Sequence, residues 1–571
     1  MVSARSAVHV GDSVGSVERV RSEDSAQPVS QSAGQLIGQP TGQADAHAVA
    51  QSVAQSVAQE GILRRQSARE SAARTYARAL PIVPVRARGM TIEGADGRRY
   101  LDCLSGAGTL ALGHNHPVVL EAIRKVLDSG APLHVLDLAT PVKDAFTTEL
   151  FSTLPSGLAE RSRIQFCGPA GTDAVEAALK LVRAATGRNG MLAFTGAYHG
   201  MTAGALEVSG GAQDVRVARL PYPQDYRCPF GLGGPRGAEL SARWTENLLD
   251  DAKSGVPVPA GMILEPVQGE GGVLPAPDAW LRRMREITAA RGIPLIADEV
   301  QTGVGRTGAF WAVEHSGVVP DVMVLSKAIG GSLPLAVVIY RDDLDVWAPG
   351  AHAGTFRGNQ LAMAAGAATL AYVRENCLAE RAATLGARMI SQLRSLAAAH
   401  PCIGEVRGRG LMIGVELVEP GEPGVPRALS ASVEPVEAGE PVGAVELTVA
   451  GSGSACGGTE AGGMLTAHGD VTGNRGPENM PTAGRPGTAH DPLVMGTDHL
   501  PPAARPHPPA PQLAAAVQRE CLRRGLIVEL GGRHSSVVRL LPPLTITDEQ
   551  AAAVLDRLAD ALATAARAHH G

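Results

Sequence analysis

The chain has 571 residues, 44% of them hydrophobic, and a formal net charge of −6 at pH 7. This length predicts a globular protein with at least two cores, and the negative charge argues against electrostatic binding to nucleic acid. Seven cysteines, scattered and odd in number, indicate reduced thiols, a cytoplasmic protein and no zinc site, because their spacing is not that of metal ligands. The apolar runs are too short for a membrane span, and the first thirty residues lack the apolar stretch of a signal peptide.

Two segments have a biased composition. Residues 1–70 are rich in Ser, Gln, Ala, Gly and Val and show no sustained helical or strand period, which predicts a disordered N-terminal tail. Residues 420–510 are crowded with Gly, Pro, Thr, Ala and Glu. We expect a low-complexity, disordered insertion there, since a structureless stretch of that length inside a compact domain is a linker or an insertion.

Short apolar runs alternate with helical stretches between these segments. Apolar runs separated by helices predict a largely parallel sheet covered on both faces. Ligands in such sheets bind beyond the carboxyl ends of the strands, which is where Asp298 and Lys327 fall. The predicted strands are Met191–Phe194, Gly261–Leu264, Pro294–Ala297 and Val322–Leu325.

A glycine-containing turn, Gly168–Thr172, leads into a predicted helix over 173–185. Thr172 is the predicted N-cap, and the positive end of the helix dipole with its free backbone amides favours a phosphate. The alternative is an ordinary turn capped by threonine. The helix is predicted from apolar residues at i, i+3, i+4 and i+7, namely Val175, Ala178, Leu179 and Val182.

Lys327 and Asp298 each follow a buried apolar run. Desolvation lowers the pKa of a lysine and lets its amine form a Schiff base with an aldehyde. A carboxylate in the same setting is well placed if a pyridinium nitrogen lies against it. Together these residues indicate a pyridoxal phosphate site. Taken singly, Lys327 is equally consistent with a surface lysine and Asp298 with a capping residue.

Three other features have both a functional and an ordinary interpretation. Tyr198, with His199 beside it, follows the Phe194 strand, where a flat ring stacks on a pyridine face or simply packs in the core. Arg539 lies in an apolar strand that ends at two prolines, so its guanidinium either binds a partner or extends to solvent. Glu270 sits in a glycine-rich turn and is otherwise a solvated loop carboxylate.

In this order the motifs resemble the class III (omega) aminotransferases, which are fold type I pyridoxal phosphate enzymes. The motifs that carry the resemblance are Gly171–Ala174, Glu265–Glu270, Asp298–Gly303 and Leu325–Ala328. Further stretches look like the diaminobutyrate–2-oxoglutarate aminotransferases within that class. They are Leu104–Leu110, Gly113–Pro117, Leu136–Asp144, Tyr226–Gly231 and Glu529–His534. The resemblance covers about residues 70–420 and 511–565.

The resemblance implies an α/β fold with two domains. The large cofactor-binding domain, 131–375, is expected to hold a mostly parallel seven-stranded sheet flanked by helices. A smaller α+β domain is expected from both chain ends, with 71–130 as its N-terminal part and 376–419 and 511–571 as its C-terminal part. The 1–70 tail and the 420–510 insertion depart from the family pattern.

The resemblance also implies a role for each matching residue around the cofactor ring. Lys327 would hold the cofactor as a Schiff base and act as the general base that moves a proton at the substrate carbon. Asp298 would keep the pyridine nitrogen protonated, and Gln301 would contact the phenolic oxygen. Tyr198 matches the position that stacks on the ring, and His199 is assigned to the same cofactor site.

Phosphate and substrate residues follow from the same resemblance. Gly171 and Thr172 match the phosphate site, and Thr355 matches a residue that reaches the phosphate of a neighbouring subunit, which implies a homodimer. Arg539 matches the clamp for the alpha-carboxylate of glutamate or 2-oxoglutarate, for which a planar two-pronged donor suits better than lysine. Glu270 matches the gate that pairs with this arginine.

The implied activity is reversible transfer of an amino group from L-glutamate to L-aspartate 4-semialdehyde, giving L-2,4-diaminobutyrate and 2-oxoglutarate. Alternatives within the class are aminotransferases for ornithine, acetylornithine or 4-aminobutyrate, and the ectoine-pathway diaminobutyrate enzyme. An aminomutase or racemase could use the same lysine and aspartate, although the Arg539 and Glu270 motifs disfavour it. A non-catalytic scaffold that docks a partner through 420–510 is the remaining alternative.

Overall fold

A computed structural model describes the chain over 59–211, 216–419 and 506–570. No helix in these ranges is both long and apolar enough to cross a membrane. The strands are β1 Pro84–Arg88, β2 Thr91–Gly94, β3 Arg99–Asp102, β4 Ser162–Phe166, β5 Met191–Phe194, β6 Val217–Leu220, β7 Gly261–Leu264, β8 Val267–Gln268, β9 Leu274–Pro275, β10 Leu295–Asp298, β11 Val322–Leu325, β12 Val337–Arg341, β13 Ile403–Arg409, β14 Met412–Leu417, β15 Leu526–Ile527, β16 Glu529–Gly531 and β17 Val537–Leu540. The helices are α1 59–69, α2 Tyr76–Ala79, α3 Pro117–Asp128, α4 Pro141–Ser152, α5 Gly171–Thr186, α6 Ala203–Ser209, α7 Gly234–Asp250, α8 Asp278–Ala290, α9 Gln360–Glu375, α10 Leu378–Ala399, α11 Pro511–Arg523 and α12 Asp548–His570.

The central sheet has seven strands in the order β4-β12-β11-β10-β7-β5-β6. Only β12 runs against its neighbours, and the other described pairs in the sheet are parallel. Every residue of β5, β7, β10 and β11 is buried. A strand covered on both faces by helices has no solvent side, so its residues are apolar without alternation. The predicted mostly parallel seven-stranded α/β sheet is therefore confirmed.

Three of the four predicted strands have the predicted bounds. The exception is the strand predicted over Pro294–Ala297, which begins at Leu295 and ends at Asp298. The proline has no amide hydrogen to give to a ladder bond, so it precedes the strand. Asp298 is thus the last residue of β10 rather than the first residue after it.

The two chain ends meet in the smaller sheets. One has the order β1-β2-β3-β15, and β15 joins it by pairing Leu526 with Leu101 in parallel. A second has the order β13-β14-β17-β16 and is antiparallel throughout. Strands from 84–102 and from 526–540 therefore lie in the same part of the molecule, next to the carboxyl ends of the central sheet.

The predicted disorder needs two corrections at its edges. Residues 59–69 are helical, so the prediction of a structureless tail up to residue 70 is wrong there; Leu63, Arg64, Arg65 and Gln66 are good helix formers. The rest of that tail lies outside the described residues. At the end of the predicted insertion, 506–510 is ordered, and Pro509 forms a β-bridge with Val418. The remainder of 420–510 is also outside the described ranges.

Candidate active site

The carboxyl ends of three strands, β7, β10 and β11, bring predicted site residues to one edge of the central sheet. Asp298 ends β10 opposite Val324 of β11, which lies two residues before Ser326 and three before Lys327. On the other side, Ala297 is opposite Leu264 of β7, so Glu265 follows directly beside Asp298. These separated motifs converge because parallel strands end at the same edge.

Asp298 is buried and has two partners that orient it. Its Oδ2 is 2.7 Å from His199 Nδ1, and its Oδ1 accepts a hydrogen bond from the Val300 amide at 3.0 Å. Burial acts to lower the pKa of His199, but the hydrogen bond and charge of Asp298 outweigh it and raise the pKa of the imidazole. His199 is thus a positioning residue that fixes the orientation of the Asp298 carboxylate, much as a hydrogen-bonded neighbour orients a metal ligand.

Glu265 is a third titratable group in this cluster. Its Oε1 accepts from the Tyr198 amide at 2.9 Å and its Oε2 from the Gly269 amide at 3.0 Å. Burial raises the pKa of Glu265 to about 7, helped by the charge of Asp298 and opposed by His199. Glu265 therefore ties the loop that carries Tyr198 to the loop that carries Glu270.

Lys327 opens a short 3-10 turn, Lys327–Gly330, immediately beyond β11. Its backbone φ is +50°, a conformation that costs a side-chain-bearing residue about 1–2 kcal/mol. Burial lowers the pKa of its ammonium, while the charges of Glu270 and Asp298 oppose that shift. The strained backbone directs the amine to the edge where these carboxylates lie, and the lowered pKa favours the nucleophilic neutral amine.

The predicted phosphate end lies at the start of α5. The helix begins at Gly171 and its N-cap residue is Ala170, so the prediction of Thr172 as the N-cap is wrong. Asp173 takes that capping role instead, because its Oδ2 accepts from the Ala170 amide at 2.9 Å. Thr172 is free to bond elsewhere, and its Oγ1 lies 2.6 Å from Thr202 Oγ1.

Two glycines make this corner narrow. A Cβ on Gly171 would lie 3.0 Å from Val300 and 3.5 Å from Ser326, next to Lys327. Gly200 has φ +125°, and a Cβ there would lie 2.4 Å from Thr172 Oγ1. The first turn of α5, which carries free amides, is thereby pressed against both the Asp298 loop and the Lys327 turn.

Gln301 and Tyr198 border the same space. Gln301 Nε2 donates to the Ala107 carbonyl at 3.3 Å, and a Cβ on Gly269 would lie 1.8 Å from Gln301 Oε1. Only glycine allows that approach. Tyr198 is 44% exposed, so the alternative of a core aromatic is wrong, and burial together with the charge of Glu270 raises the pKa of its hydroxyl.

Arg539 and Glu270 form an ion pair, with Arg539 Nη2 2.7 Å from Glu270 Oε2. The arginine side chain is 0% exposed and the glutamate 32% exposed, so the alternatives of a solvent-reaching arginine and a freely solvated loop carboxylate are both wrong. β17 places Arg539 in the interior, and the 269–272 turn brings Glu270 over it. A buried guanidinium with a partner that lies partly in solvent is suited to exchange that partner for another carboxylate.

Thr355 stands apart from the other predicted site residues. It begins an exposed 3-10 turn, Thr355–Arg357, and its carbonyl accepts a bond from His134 Nε2 at 2.6 Å. No hydrogen bond joins Thr355 to the cluster above in the described part of the chain. Its predicted role requires a second chain.

A model of the class-III aminotransferases matches residues 72–446, which is more than half of the chain. The chain belongs to the class III aminotransferases. The match confirms the family that the motifs predicted. The protein is therefore a pyridoxal phosphate-dependent transferase.

Relatives of this aminotransferase cover most of its length. It is 48% identical over 512 residues to a diaminobutyrate–2-oxoglutarate aminotransferase of Rhizobium meliloti (strain 1021), covering 88% of this chain and 92% of the relative. It is 51% identical over 365 residues to an enzyme of the same name from Haemophilus influenzae, covering 62% and 80% of the two chains. Among solved structures it is similar to a PLP-bound amine transaminase from an uncultivated Pseudomonas species. There the TM-score is 0.64 at 26% identity, covering 87% and 97% of the chains.

The residues of this aminotransferase fit pyridoxal phosphate. His199 Nε2 and Gln301 Oε1 are buried without a hydrogen-bond partner among the described residues, and the Gly171 and Gly200 corner has no room for a side chain. When bound, the cofactor supplies an aldehyde carbon and an electron-withdrawing ring. Lys327 would hold the aldehyde, Asp298 the ring nitrogen, and the start of α5 the phosphate.

Some members of the site were not singled out from sequence. Glu265 and Glu529 lie inside quoted motifs, but nothing in their composition separated them from loop carboxylates. Tyr76 had no signal at all, because it contacts Glu529 from 453 positions away. For Glu529 a signal did exist. A short hairpin that ends at Arg539 places position 529 directly across from it.

Proposed function

We propose that this aminotransferase moves an amino group between L-glutamate and L-aspartate 4-semialdehyde, with L-2,4-diaminobutyrate and 2-oxoglutarate as the products. The observation that carries the proposal is the buried Arg539–Glu270 pair at 2.7 Å. Its support is the shared name of the relatives from Rhizobium meliloti and Haemophilus influenzae.

Arg539 and Glu270 account for two dissimilar substrates in one pocket. Glutamate presents its alpha-carboxylate, which would displace Glu270 and accept hydrogen bonds from two nitrogens of the Arg539 guanidinium. A diamino acid presents its distal amine to the reacting end, and Glu270 would then stay on Arg539. One pocket serves both half-reactions because the charge at Arg539 is neutralised either by the protein or by the substrate.

Lys327, Asp298 and their neighbours act in both half-reactions. The Lys327 Nζ would carry the proton to and from the substrate carbon, and the pKa lowered by burial prepares the amine for that task. Asp298, held by His199, would keep the ring nitrogen charged. Tyr198 would cover one ring face, Gln301 would meet the phenolic oxygen, and Gly171 with Thr172 would bind the phosphate.

The same proposal includes a homodimer with Thr355 reaching the phosphate site of the other subunit. Its support is a group of exposed large apolar side chains in the two stretches that meet at Thr355, which His134 joins to Thr355 and Phe356. They are Leu133, Leu136, Leu138 and Phe356, each 47–66% exposed. A cytoplasmic location also belongs to the proposal, supported by six described cysteines that form no disulfide.

Incubation of the purified protein with L-glutamate and L-aspartate 4-semialdehyde tests the activity directly. Diaminobutyrate is the expected product, measured by chromatography after derivatisation. Parallel reactions with glutamate 5-semialdehyde, N-acetylglutamate 5-semialdehyde and succinate semialdehyde separate the ornithine, acetylornithine and 4-aminobutyrate alternatives. Faster turnover of any of these three aldehydes would overturn the proposal.

A further inference from the structure

Two carboxylates lie on one guanidinium beside the reacting lysine. Arg539 Nη2 is 2.7 Å from Glu270 Oε2 and 2.6 Å from Glu529 Oε2. The Arg539 and Glu529 side chains are 0% and 8% exposed. One guanidinium therefore faces two carboxylates, of which Glu529 is the more buried, and the charge of Lys327 also acts on Glu529. A substrate cation that reached these carboxylates would be stabilised by the charge that Arg539 alone does not balance.

Glu529 reaches this position because of the hairpin formed by β16 and β17. The two strands are antiparallel, and Glu529 is directly opposite Arg539. Side chains of directly opposed residues lie on the same face and contact each other. The backbone pairing thus fixes Glu529 beside Arg539, and the location of Glu529 does not depend on that of Glu270.

Tyr76 holds the other oxygen of Glu529. Its hydroxyl donates to Glu529 Oε1 at 2.6 Å, while Glu529 Oε2 has no hydrogen bond of normal geometry among the described residues. Arg539 Nε and Nη1 are also buried and without a hydrogen-bond partner there. The site therefore offers an incoming molecule one acceptor, Glu529 Oε2, which is ion-paired with Arg539 Nη2 but accepts no hydrogen bond of normal geometry, and two donors, Arg539 Nε and Nη1.

These unused groups match an amino acid head group. Burial raises the pKa of Glu529, and the charge of Arg539 opposes the shift, so an added cation would stabilise the carboxylate form. When the distal amine of a 2,4-diamino acid reacts, its 2-ammonium is the one cation of the substrate left to meet these carboxylates. Glutamate, which reacts through its 2-amino group, brings its alpha-carboxylate to Arg539 instead.

We propose that Glu529 binds the 2-ammonium group of the diamino acid and is the residue that selects 2,4-diaminobutyrate over ω-amino acids without that group. This inference rests on the proposed function. Tyr76 is a positioning residue that keeps Glu529 aimed at the substrate. Glu270 and Arg539 distinguish the keto-acid half-reaction, whereas Glu529 distinguishes among amine donors.

The test compares Glu529→Gln with the parent enzyme in separate half-reactions, each followed by the absorbance change of the bound cofactor. For the variant, kcat/KM with diaminobutyrate relative to kcat/KM with glutamate should fall roughly 10- to 100-fold, the effect of losing a hydrogen bond between charged groups. Most of the change should be in KM for diaminobutyrate. With 4-aminobutyrate, which has no 2-ammonium, the variant should lose less.

Asp321→Asn is the matched control. Asp321 is also a buried carboxylate held by two arginines, Arg285 and Arg341, but it lies just before β11, at the opposite edge of the sheet from Lys327. This control should lower the melting temperature without changing the donor ratio. If the control lowered the ratio of kcat/KM with diaminobutyrate to kcat/KM with glutamate by the same factor, the inference would be overturned, because removing any buried carboxylate would then have this effect.

Two further variants protect the test against misfolding. Glu529→Asp keeps the negative charge, so the ratio of kcat/KM with diaminobutyrate to kcat/KM with glutamate should fall less than in Glu529→Gln. Tyr76→Phe keeps Glu529 but removes the hydrogen bond that orients its carboxylate, so this ratio should fall less than tenfold. If Glu529→Gln loses both half-reactions equally and Tyr76→Phe leaves the ratio unchanged, the inference is wrong. If the parent enzyme itself does not react with diaminobutyrate, the proposed function fails first, whatever Glu529 does.

Discussion

Lys327 shows how a single residue is prepared for chemistry by its surroundings. Its left-handed backbone at φ +50° is a conformation usually left to glycine, and strain of this kind persists where the surrounding structure holds it in place. Ser326 anchors the turn through a bond from its hydroxyl to the Leu335 carbonyl at 2.9 Å. The amine is thereby aimed before any substrate arrives.

Replacing Lys327 with alanine should lower turnover by at least about 10³-fold, because the variant loses both the cofactor anchor and the general base. Steady-state assays with glutamate and a keto acid measure the loss. Borohydride reduction of the parent enzyme, followed by peptide mapping, should place the cofactor label on the peptide that contains Lys327. A label on another lysine would contradict the assignment.

Arg539→Ala separates the two half-reactions. Its kcat/KM should fall about 10- to 100-fold more with glutamate than with diaminobutyrate, since glutamate would bind the guanidinium through its alpha-carboxylate whereas diaminobutyrate would leave Glu270 paired with it. Rapid-mixing measurements of each half-reaction check this, with a melting curve to verify folding. Equal losses in the two half-reactions would argue against the Glu270 exchange.

At the scale of elements, strand ends and helix starts decide the shape of the site. β10 ends at Asp298, and the next residue, Glu299, turns away and accepts a bond from the Val313 amide at 2.9 Å. Burial raises the pKa of Glu299 to about 7, against an ordinary value of 4.5. The element that carries Asp298 is therefore anchored by a carboxyl group that titrates near neutrality.

Glu299→Gln should change how stability depends on pH. A raised folded-state pKa means that the stabilisation by Glu299 is fully present below pH 4.5 and is lost as the pH rises through about 7. Relative to the glutamine variant, the parent should therefore be more stable at pH 5 than at pH 7.5, by about 2 kcal/mol. Melting temperatures across this range measure it. A constant difference would show that Glu299 keeps an ordinary pKa.

Gly200→Ala tests the phosphate corner. The added Cβ would lie 2.4 Å from Thr172 Oγ1, so the first turn of α5 must shift, and cofactor affinity should fall about tenfold or more. Gly187→Ala is the control. Gly187 ends the same helix with φ +67° and has nothing within 4 Å of a Cβ, so it shares the backbone strain without the clash. Cofactor titration by absorbance distinguishes the two, and equal effects would contradict the predicted role of this corner.

At the scale of the whole molecule, the chain closes on itself on either side of the 420–505 segment. The Glu419 amide donates to the Pro508 carbonyl at 2.9 Å and the Ala510 amide to the Leu417 carbonyl at 3.1 Å. The ends of the segment are therefore held together by the β14 edge. This geometry makes the segment separable from the fold that carries the site.

A variant in which about six Gly and Ser residues replace 421–505 should keep turnover within about twofold. Its stability should be equal or higher by up to about 2 kcal/mol, because each halving of a closed loop recovers about 0.6 kcal/mol of closure entropy. Turnover and melting temperature are the measurements. A large loss of turnover in a folded variant would show that the segment contributes to activity.

Order and spacing of motifs were enough to predict the family, the parallel sheet and the two strands whose carboxyl ends carry Asp298 and Lys327. Those features depend on local patterns, namely apolar runs of strand length, turn residues and helical periodicity, which any window of the chain displays. The N-cap of α5 was predicted wrongly because Asp173 and Thr172 both satisfy the local pattern. Only the bonds to Ala170 and Thr202 separate their roles.

Tertiary structure alone decided the charges around the reacting lysine. Asp298 contacts His199, Arg539 contacts Glu270, and Glu529 contacts Tyr76. Each of these pairs joins residues far apart in the chain, and no local pattern records such distances. Burial then sets the pKa of each group, and burial is a property of the packed molecule. The sequence by itself therefore determined what kind of enzyme this is, and the packing decided which carboxylates lie against Arg539.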